Sequence, residues 1–311
     1  MKGPLFYAKI LLFGEYGIIK DSKGLAIPYN MYQGALKNDD NSTLTAIDSN
    51  ANLRKYHSYL LELSVLGTSL ISFDLKRFKD DLDTGMYFDS SIPQGYGVGS
   101  SGALVASIYD KYAFDKITVL ENLTRDKLLG LKKVFGQMES YFHGKSSGLD
   151  PLNSYLSLPI LINSKDNIEP AGIPSQQQGK GAVFLLDSEI VGETEPMVNI
   201  FMNKMKNEGF RNMLSKEFTV HTDACIDDFL NGNVSSLFGN VKKLSKVVLA
   251  NFEPMIPKNF QKIWQRGIDT NDYYLKLCGS GGGGYILGFT ENFDKTKILL
   301  KEYKLELVYR F

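Results

Sequence analysis

The sequence predicts a chain that mixes strands and helices and divides into two domains. Three observations carry this. The length, 311 residues, suits about two domains of ordinary size. Strand-like apolar runs and helix-period apolar stripes are interspersed along the chain. The polar, turn-rich stretch Pro174 to Gly181 separates two apolar runs and is the best linker candidate, which gives domains 1–180 and 181–311.

The elements follow in order. Phe6 to Phe13 reads as a buried strand, apolar on both faces apart from Lys9. Tyr16 to Ile19 leads to a turn signal at Lys23-Gly24 and then to Leu25-Ala26-Ile27. Leu60 to Leu66 and Leu70 to Leu75 read as strand-like runs, and Met86-Tyr87-Phe88 as a short strand. Leu104, Ile108 and Tyr112 recur every fourth residue, so a helix starts near Ser101. Leu128, Leu131, Phe135, Met138 and Phe142 form the stripe of a second helix, with Glu139 and His143 four apart on a neighbouring face. Ile117 to Leu120 looks like a strand. Ala182 to Leu186 reads as a strand, Glu195 to Leu249 and Asn259 to Arg266 as helical. Lys276 to Phe289 reads as strand, glycine-rich turn and strand, and Leu305 to Phe311 as a final strand.

Composition excludes several classes. Lys plus Arg and Asp plus Glu each number 35, which leaves no basic footprint for nucleic acid or anionic membrane. Cys225 and Cys278 are too few and too isolated for a disulfide framework or a zinc site. The apolar run Leu5 to Phe13 is interrupted by Lys9 and ended by Gly14-Glu15, so neither a signal peptide nor a membrane span is expected. The expectation is a cytoplasmic protein with a small-molecule partner, a homodimer being allowed.

The loop Pro93-Gln-Gly95-Tyr96-Gly97-Val98-Gly99-Ser100-Ser101-Gly102-Ala103 lies between a strand and a helix start. Glycines let backbone approach a ligand, and a helix N-terminus adds unpaired N–H donors and the positive end of its dipole, which together make an anion site. Ser101 offers a hydroxyl to a phosphate or to Mg2+. Gly97, Gly99 and Gly102 also spell the dinucleotide pattern G-x-G-x-x-G, with Glu121 nineteen residues further on. Against that reading, Pro93 and Gly95 break the strand and no βαβ alternation precedes them. A purely structural turn is the third reading. No G-x-x-x-x-G-K-[ST] is present.

Other residues gather around this loop in the sequence. Lys9 sits in an apolar strand, where it reads either as an edge lysine reaching solvent or as one held by a partner. Gly14-Glu15-Tyr16 supplies a tight turn and a carboxylate. Glu139 and Asp150 bracket a segment containing His143-Gly144 and Ser147-Gly148. One carboxylate could hold Mg2+ while the other orients or deprotonates a hydroxyl. The plainer readings are a solvated helix face for Glu139, a hydrogen-bonded structural residue for His143, and an N-cap for Asp150 before Pro151. Finally, Gly281 to Gly284 follow Lys276-Leu-Cys278-Gly279-Ser280. Four glycines in a row cost roughly 0.5–1 kcal/mol each relative to alanine, which favours close backbone approach to a ligand over a plain hairpin.

In this order the segments resemble the GHMP kinase superfamily across nearly the whole chain, and within it most resemble the mevalonate kinases. The pattern G-K-x-x-L-x-G-E-H corresponds to Ala8 to Tyr16, P-x-G-x-G-L-G-S-S-A to Pro93 to Gly102, E-x-x-x-H-G-x-x-S-G-[VI]-D to Glu139 to Asp150, and K-L-[TS]-G-[AS]-G-G-G-G to Lys276 to Gly284. The resemblance implies a two-lobed α+β fold, with a ribosomal-protein-S5-like N-terminal lobe, a ferredoxin-like C-terminal lobe and the active site in the cleft.

It implies ATP and Mg2+ as cofactors, with Gly95, Tyr96, Gly97, Val98, Gly99, Ser100 and Ser101 holding the phosphates. Ser101 and Glu139 would ligate the metal. Asp150 would act as base or electrostatic partner of the attacking hydroxyl, and Lys9 would pair with Asp150 and the transferring phosphoryl. Glu15, Tyr16, His143, Thr194, Gly281 and Gly282 would line the substrate. The implied reaction is in-line phosphoryl transfer to mevalonate, giving 5-phosphomevalonate for isoprenoid precursor synthesis. Phosphomevalonate or another small alcohol is the alternative substrate, and a catalytically silent ligand sensor the more distant alternative. Tyr16 stands where mevalonate kinases have histidine and phosphomevalonate kinases have tyrosine. Gly192 stands where mevalonate kinases often carry an arginine, and Val98 and Gly102 replace leucine and alanine.

Overall fold

The computed structural model describes residues 4–20, 22–38, 43–119 and 122–311. Glu121, the acidic residue of the dinucleotide pattern, lies outside them. The chain forms two compact units. One comprises Met1–Lys9, Pro28–Pro93 and Gly99–Leu158, the other Ile10–Ile27, Gln94–Val98 and Pro159–Phe311. The strands β1 (Phe6–Phe13) and β2 (Gly24–Asn38) each begin in one unit and end in the other.

In the first unit, α1 (Leu44–Val65) and α2 (Leu75–Asp83) precede β3 (Met86–Ser90), which pairs antiparallel with Gly34–Asn38 of β2. Then come α3 (Ser100–Tyr112), α4 (Arg125–His143) and α5 (Leu149–Leu156). Aromatic rings knit the core: Phe78 stacks on Tyr112 at 4.6 Å between centroids, and Tyr109 meets Phe135 edge-on at 4.9 Å. The buried amide of Asn50 donates to the carbonyls of Leu82 and Met86, tying α1 to the end of α2 and the start of β3.

Three expected strands are absent here. Leu60 to Leu66 is the end of α1, because Ala46, Asn50, Leu53, Tyr56 and Leu60 form one buried stripe at spacings of three and four, while Leu61, Val65 and Leu66 face solvent. Leu70 to Leu75 is irregular apart from a single bridge between Phe73 and Ala113, and Asp74 then caps α2 by accepting from the Arg77 amide at 3.0 Å. Ile117 to Val119 makes no ladder, and Leu120 lies outside the described residues. The Ile117 backbone is held by side chains instead, its amide donating to the Tyr109 hydroxyl and its carbonyl accepting from Tyr155.

In the second unit, Gly24–Ala26 of β2 pair with β4 (Ile160–Ser164), which pairs with β5 (Asn167–Pro170). The segment 174–181 is irregular, as its composition predicts, and lies inside this unit. Beyond it come β6 (Ala182–Asp187), α6 (Thr194–Lys204), α7 (Glu208–Met213), a π turn at Leu214–Phe218, α8 (Thr219–Leu230), α9 (Val234–Asn251) and α10 (Lys258–Thr270). The chain ends in β7 (Tyr274–Leu277), β8 (Tyr285–Thr290), α11 (Phe293–Leu299) and β9 (Leu305–Arg310). The sheet order is β7-β8-β6-β9, every pair antiparallel. Helix α9 packs on β7 and α10, and the buried Trp264 indole donates to Ser245 Oγ at 2.8 Å. No helix among the described residues is long and apolar enough to cross a membrane.

Candidate active site

The first unit brings together Lys9, Ser101, Glu139 and Asp150. Lys9 is only 5% exposed, and its Nζ lies 2.9 Å from Asp150 Oδ1. The reading of Lys9 as an edge lysine reaching solvent is therefore corrected: a buried ammonium needs a partner, and α5 supplies one. Asp150 is also not an N-cap. Gly148 occupies that position, and Asp150 stands in the first turn, where a carboxylate suits the helix dipole. Ser154 Oγ, one turn further along α5, donates to Tyr7 O at 2.8 Å and fixes β1 beside the pair.

The loop glycines shape this pair. Gly99 is the left-handed N-cap of α3 at φ 83°, and a β-carbon on it would stand 2.9 Å from Lys9 Cγ. A β-carbon on Gly102 would stand 2.7 Å from the carbonyl carbon of Asp150. The first turn of α3 thus lies directly against the ion pair, and no side chain caps that turn. A helix start without a side-chain cap is the kind of place where an anion can be held.

Glu139 is 3% exposed, so the solvated-face reading is corrected as well. Its Oε1 accepts from Ser101 Oγ at 3.0 Å and its Oε2 from Ser146 Oγ at 2.5 Å. Burial first, and the Asp150 charge second, push its carboxyl up to about 7, against the opposing pull of Ser146, Ser101 and Lys9. A hydroxyl beside a buried carboxylate is the oxygen donor set that suits Mg2+, which binds through one or two carboxylates and keeps its remaining positions for water and phosphate. The described residues contain no group of three or more His, Cys, Asp and Glu that could hold a metal ion. His143 closes α4, and its side chain lies outside the described residues.

The second unit holds Glu15, Tyr16, Gly95 to Val98, Thr194 and the glycine run. Glu15 and Lys276, both buried, form an ion pair, and Lys276 Nζ also donates to Leu277 O at 2.8 Å. Tyr16 adopts a left-handed backbone at φ 59°, and its ring stacks on Phe201 at 4.6 Å. Its hydroxyl donates to Ser280 O at 2.6 Å, and burial, then the Glu15 charge, pushes that hydroxyl's pKa upward. Ser280 Oγ lies 3.5 Å from the hydroxyl of Thr194, the first residue of α6.

Here three of the four glycines of the run approach the protein's own backbone, and Gly282 approaches a side chain. A β-carbon would meet Met255 O at 2.6 Å from Gly281, Met197 Sδ at 2.8 Å from Gly282, Ile190 O at 2.6 Å from Gly283 and Tyr96 Cα at 2.5 Å from Gly284. One on Gly97 would meet Cys278 O at 2.6 Å. Gly192 donates its amide to Gly95 O at 3.0 Å, and a β-carbon there would be crowded by Gly95 O at 3.2 Å and Gly281 O at 3.3 Å. Val98 is fully buried, whereas Gly95 and Gly97 are exposed.

Two participants escaped the sequence reading. Lys276 carried the same signal as Lys9, a lysine inside an apolar strand. Ser146 carried none, since a serine in a polar loop is unremarkable. Gly136 is a related case: it lets the Ser146–Gly148 loop press on α4, and a β-carbon there would stand 3.1 Å from Ser146 O.

No protein-family model and no curated protein sequence matches the chain. Solved structures do match over nearly its whole length. Mevalonate kinase from L. major, in complex with R-mevalonate, aligns at TM-score 0.60 and 17% identity, covering 97% of this chain and 93% of that one. Streptococcus pneumoniae phosphomevalonate kinase, in complex with phosphomevalonate and AMPPNP, aligns at TM-score 0.61 and 15% identity over 98% of both chains. Lactococcus lactis galactokinase, complexed with galactose, aligns at TM-score 0.64 and 11% identity, covering 98% of this chain and 92% of that one. The chain thus shares the mixed α+β fold of these kinase structures, the fold class its sequence predicts.

Proposed function

We propose that the protein is an ATP-dependent small-molecule kinase that phosphorylates a hydroxyl, with mevalonate as the first substrate to test. The observation that carries this is the Lys9–Asp150 pair at 2.9 Å, set against the uncapped first turn of α3. The backbone of that turn and the positive end of the helix dipole would hold phosphate oxygens. Asp150, with 38% of its side chain exposed, orients the attacking hydroxyl and accepts its proton. Lys9 holds Asp150 in place and faces its positive charge toward the phosphoryl being transferred. Ser101 and Glu139 hold Mg2+, which supplies charge neutralisation at the phosphate oxygens when bound. In-line transfer then proceeds by positioning and electrostatics.

A second reading, phosphomevalonate as acceptor, draws on Tyr16 and Gly192. Tyr16 takes the tyrosine of phosphomevalonate kinases, and the backbone crowding at Gly192 leaves little room for a side chain. The test is ADP release from MgATP across mevalonate, phosphomevalonate and galactose. Release above the substrate-free background with one acceptor supports the kinase and names its substrate. No release with any acceptor, alongside intact nucleotide binding, favours the silent sensor.

A further inference from the structure

The Ser146 hydroxyl joins three parts of the first unit. It donates to Glu139 Oε2 at 2.5 Å and accepts from the Gly148 amide at 3.0 Å, Gly148 being the N-cap of the helix that carries Asp150. The Ser146 amide donates to Ser140 Oγ at 3.3 Å, and Ser140 Oγ donates back to Gly136 O within α4 at 2.7 Å. The loop lies directly against α4, where a β-carbon on Gly148 would stand 2.1 Å from Lys132 O. Glu139 is therefore gripped at both oxygens, by Ser101 from the glycine loop and by Ser146 from a loop anchored on α4 itself.

We propose that Ser146 is a positioning residue, one that holds the Glu139 carboxylate in the pose that faces Ser101 and so sets the affinity for the divalent cation. This rests on the reading of Ser101 and Glu139 as the metal-holding pair. A hydrogen bond from Ser146 leaves Glu139 one orientation, with Oε1 toward Ser101. Without it, Oε2 is a buried acceptor lacking its donor, and the side chain must turn to find another. Losing such an orienting partner typically weakens metal binding about 10- to 100-fold.

The test compares the unaltered chain with Ser146→Ala and Ser146→Thr, measuring protein-bound Mn2+ by equilibrium dialysis with saturating ATP, and solving the Ser146→Ala crystal structure. Ser146→Ala should raise the half-saturating Mn2+ concentration about 10-fold and turn Glu139 away from Ser101, and Ser146→Thr, which keeps the hydroxyl, should restore both. Mn2+ binding equal to that of the unaltered chain overturns the proposal, as does a Glu139 carboxylate still seated on Ser101 in the alanine variant. If the alanine variant does not fold, Ser146→Cys, whose thiol is a weak donor, takes its place with the same readouts. Should the unaltered chain neither bind Mn2+ with ATP nor release ADP, the kinase reading falls, and the Glu139 pose alone then decides whether Ser146 positions it.

Discussion

Gly102 lies so close to Asp150 that a β-carbon built on it would stand 2.7 Å from the Asp150 carbonyl carbon and 2.8 Å from the Pro151 nitrogen. Helix α3 therefore meets α5 backbone to backbone, at the turn that carries the carboxylate paired with Lys9. The neighbours are main-chain atoms that cannot rotate aside. Gly102→Ala must push α5 away, although alanine is the better helix former. Overpacking of this kind costs about 1–3 kcal/mol. The melting temperature should fall by several degrees, and ADP release should drop at least tenfold because Asp150 moves with its helix. Unchanged melting and turnover would show that α3 and α5 separate without consequence.

The ion pair itself gives the second prediction. Removing one partner of a fully buried pair costs about 3–5 kcal/mol, but Asp150 is 38% exposed, so water recovers part of the loss. Lys9→Met should destabilise by about 2 kcal/mol on that scale. The double variant Lys9→Met/Asp150→Asn should lose less than the sum of the two single changes, because no unpaired charge remains. Asp150→Asn alone should keep nucleotide binding and lose at least about 100-fold in turnover, the range of a general base. Turnover unchanged in Asp150→Asn would remove Asp150 from the chemistry while leaving the fold intact.

Tyr16→Phe tests the contact with the glycine run. The phenylalanine keeps the stack on Phe201 and removes only the hydroxyl that donates to Ser280 O at 2.6 Å. A lost buried hydrogen bond costs about 1–2 kcal/mol. Ser280 then loses its fixed carbonyl, and its hydroxyl, 3.5 Å from that of Thr194, is free to shift. The expected outcome is a raised KM for the acceptor with a smaller change in kcat. Equal falls in kcat and kcat/KM would place the Tyr16 hydroxyl in the transition state instead.

The sequence revealed most where pattern and chemistry coincide. Strands such as Phe6–Phe13, apolar apart from Lys9, and helix α4 follow from apolar runs and stripes, and all four motifs fall at element ends. Helix α1 was illegible because its buried stripe includes a polar residue, Asn50, and its last turn is apolar yet exposed, so Leu60 to Leu66 imitates a strand. The site was half legible for a different reason. Lys9, Glu139 and Asp150 announce themselves by residue type, but the partner of Glu15 is Lys276, 261 positions away. The need for glycine at Gly102 and Gly284 depends on which backbone arrives opposite, which no local pattern encodes.

Glu139 gives the last prediction, a pH dependence of the metal-free protein. Its carboxyl rises from an ordinary value of 4.5 to about 7, chiefly through burial and then through the Asp150 charge. The folded state thus holds this proton more tightly than the unfolded chain does. Its contribution to stability is complete below about pH 4.5, declines as pH rises, and is gone above about pH 7. At about 1.4 kcal/mol per unit the swing amounts to a few kcal/mol. Urea midpoints taken in EDTA should therefore fall between pH 5 and pH 7 by more in the unaltered chain than in Glu139→Gln, which has no proton to lose. Mg2+ with ATP should oppose the fall, since a cation beside Glu139 favours the charged form. Parallel pH profiles for the two proteins would mean that Glu139 is already ionised throughout, with Lys9 and the two serine hydroxyls outweighing its burial.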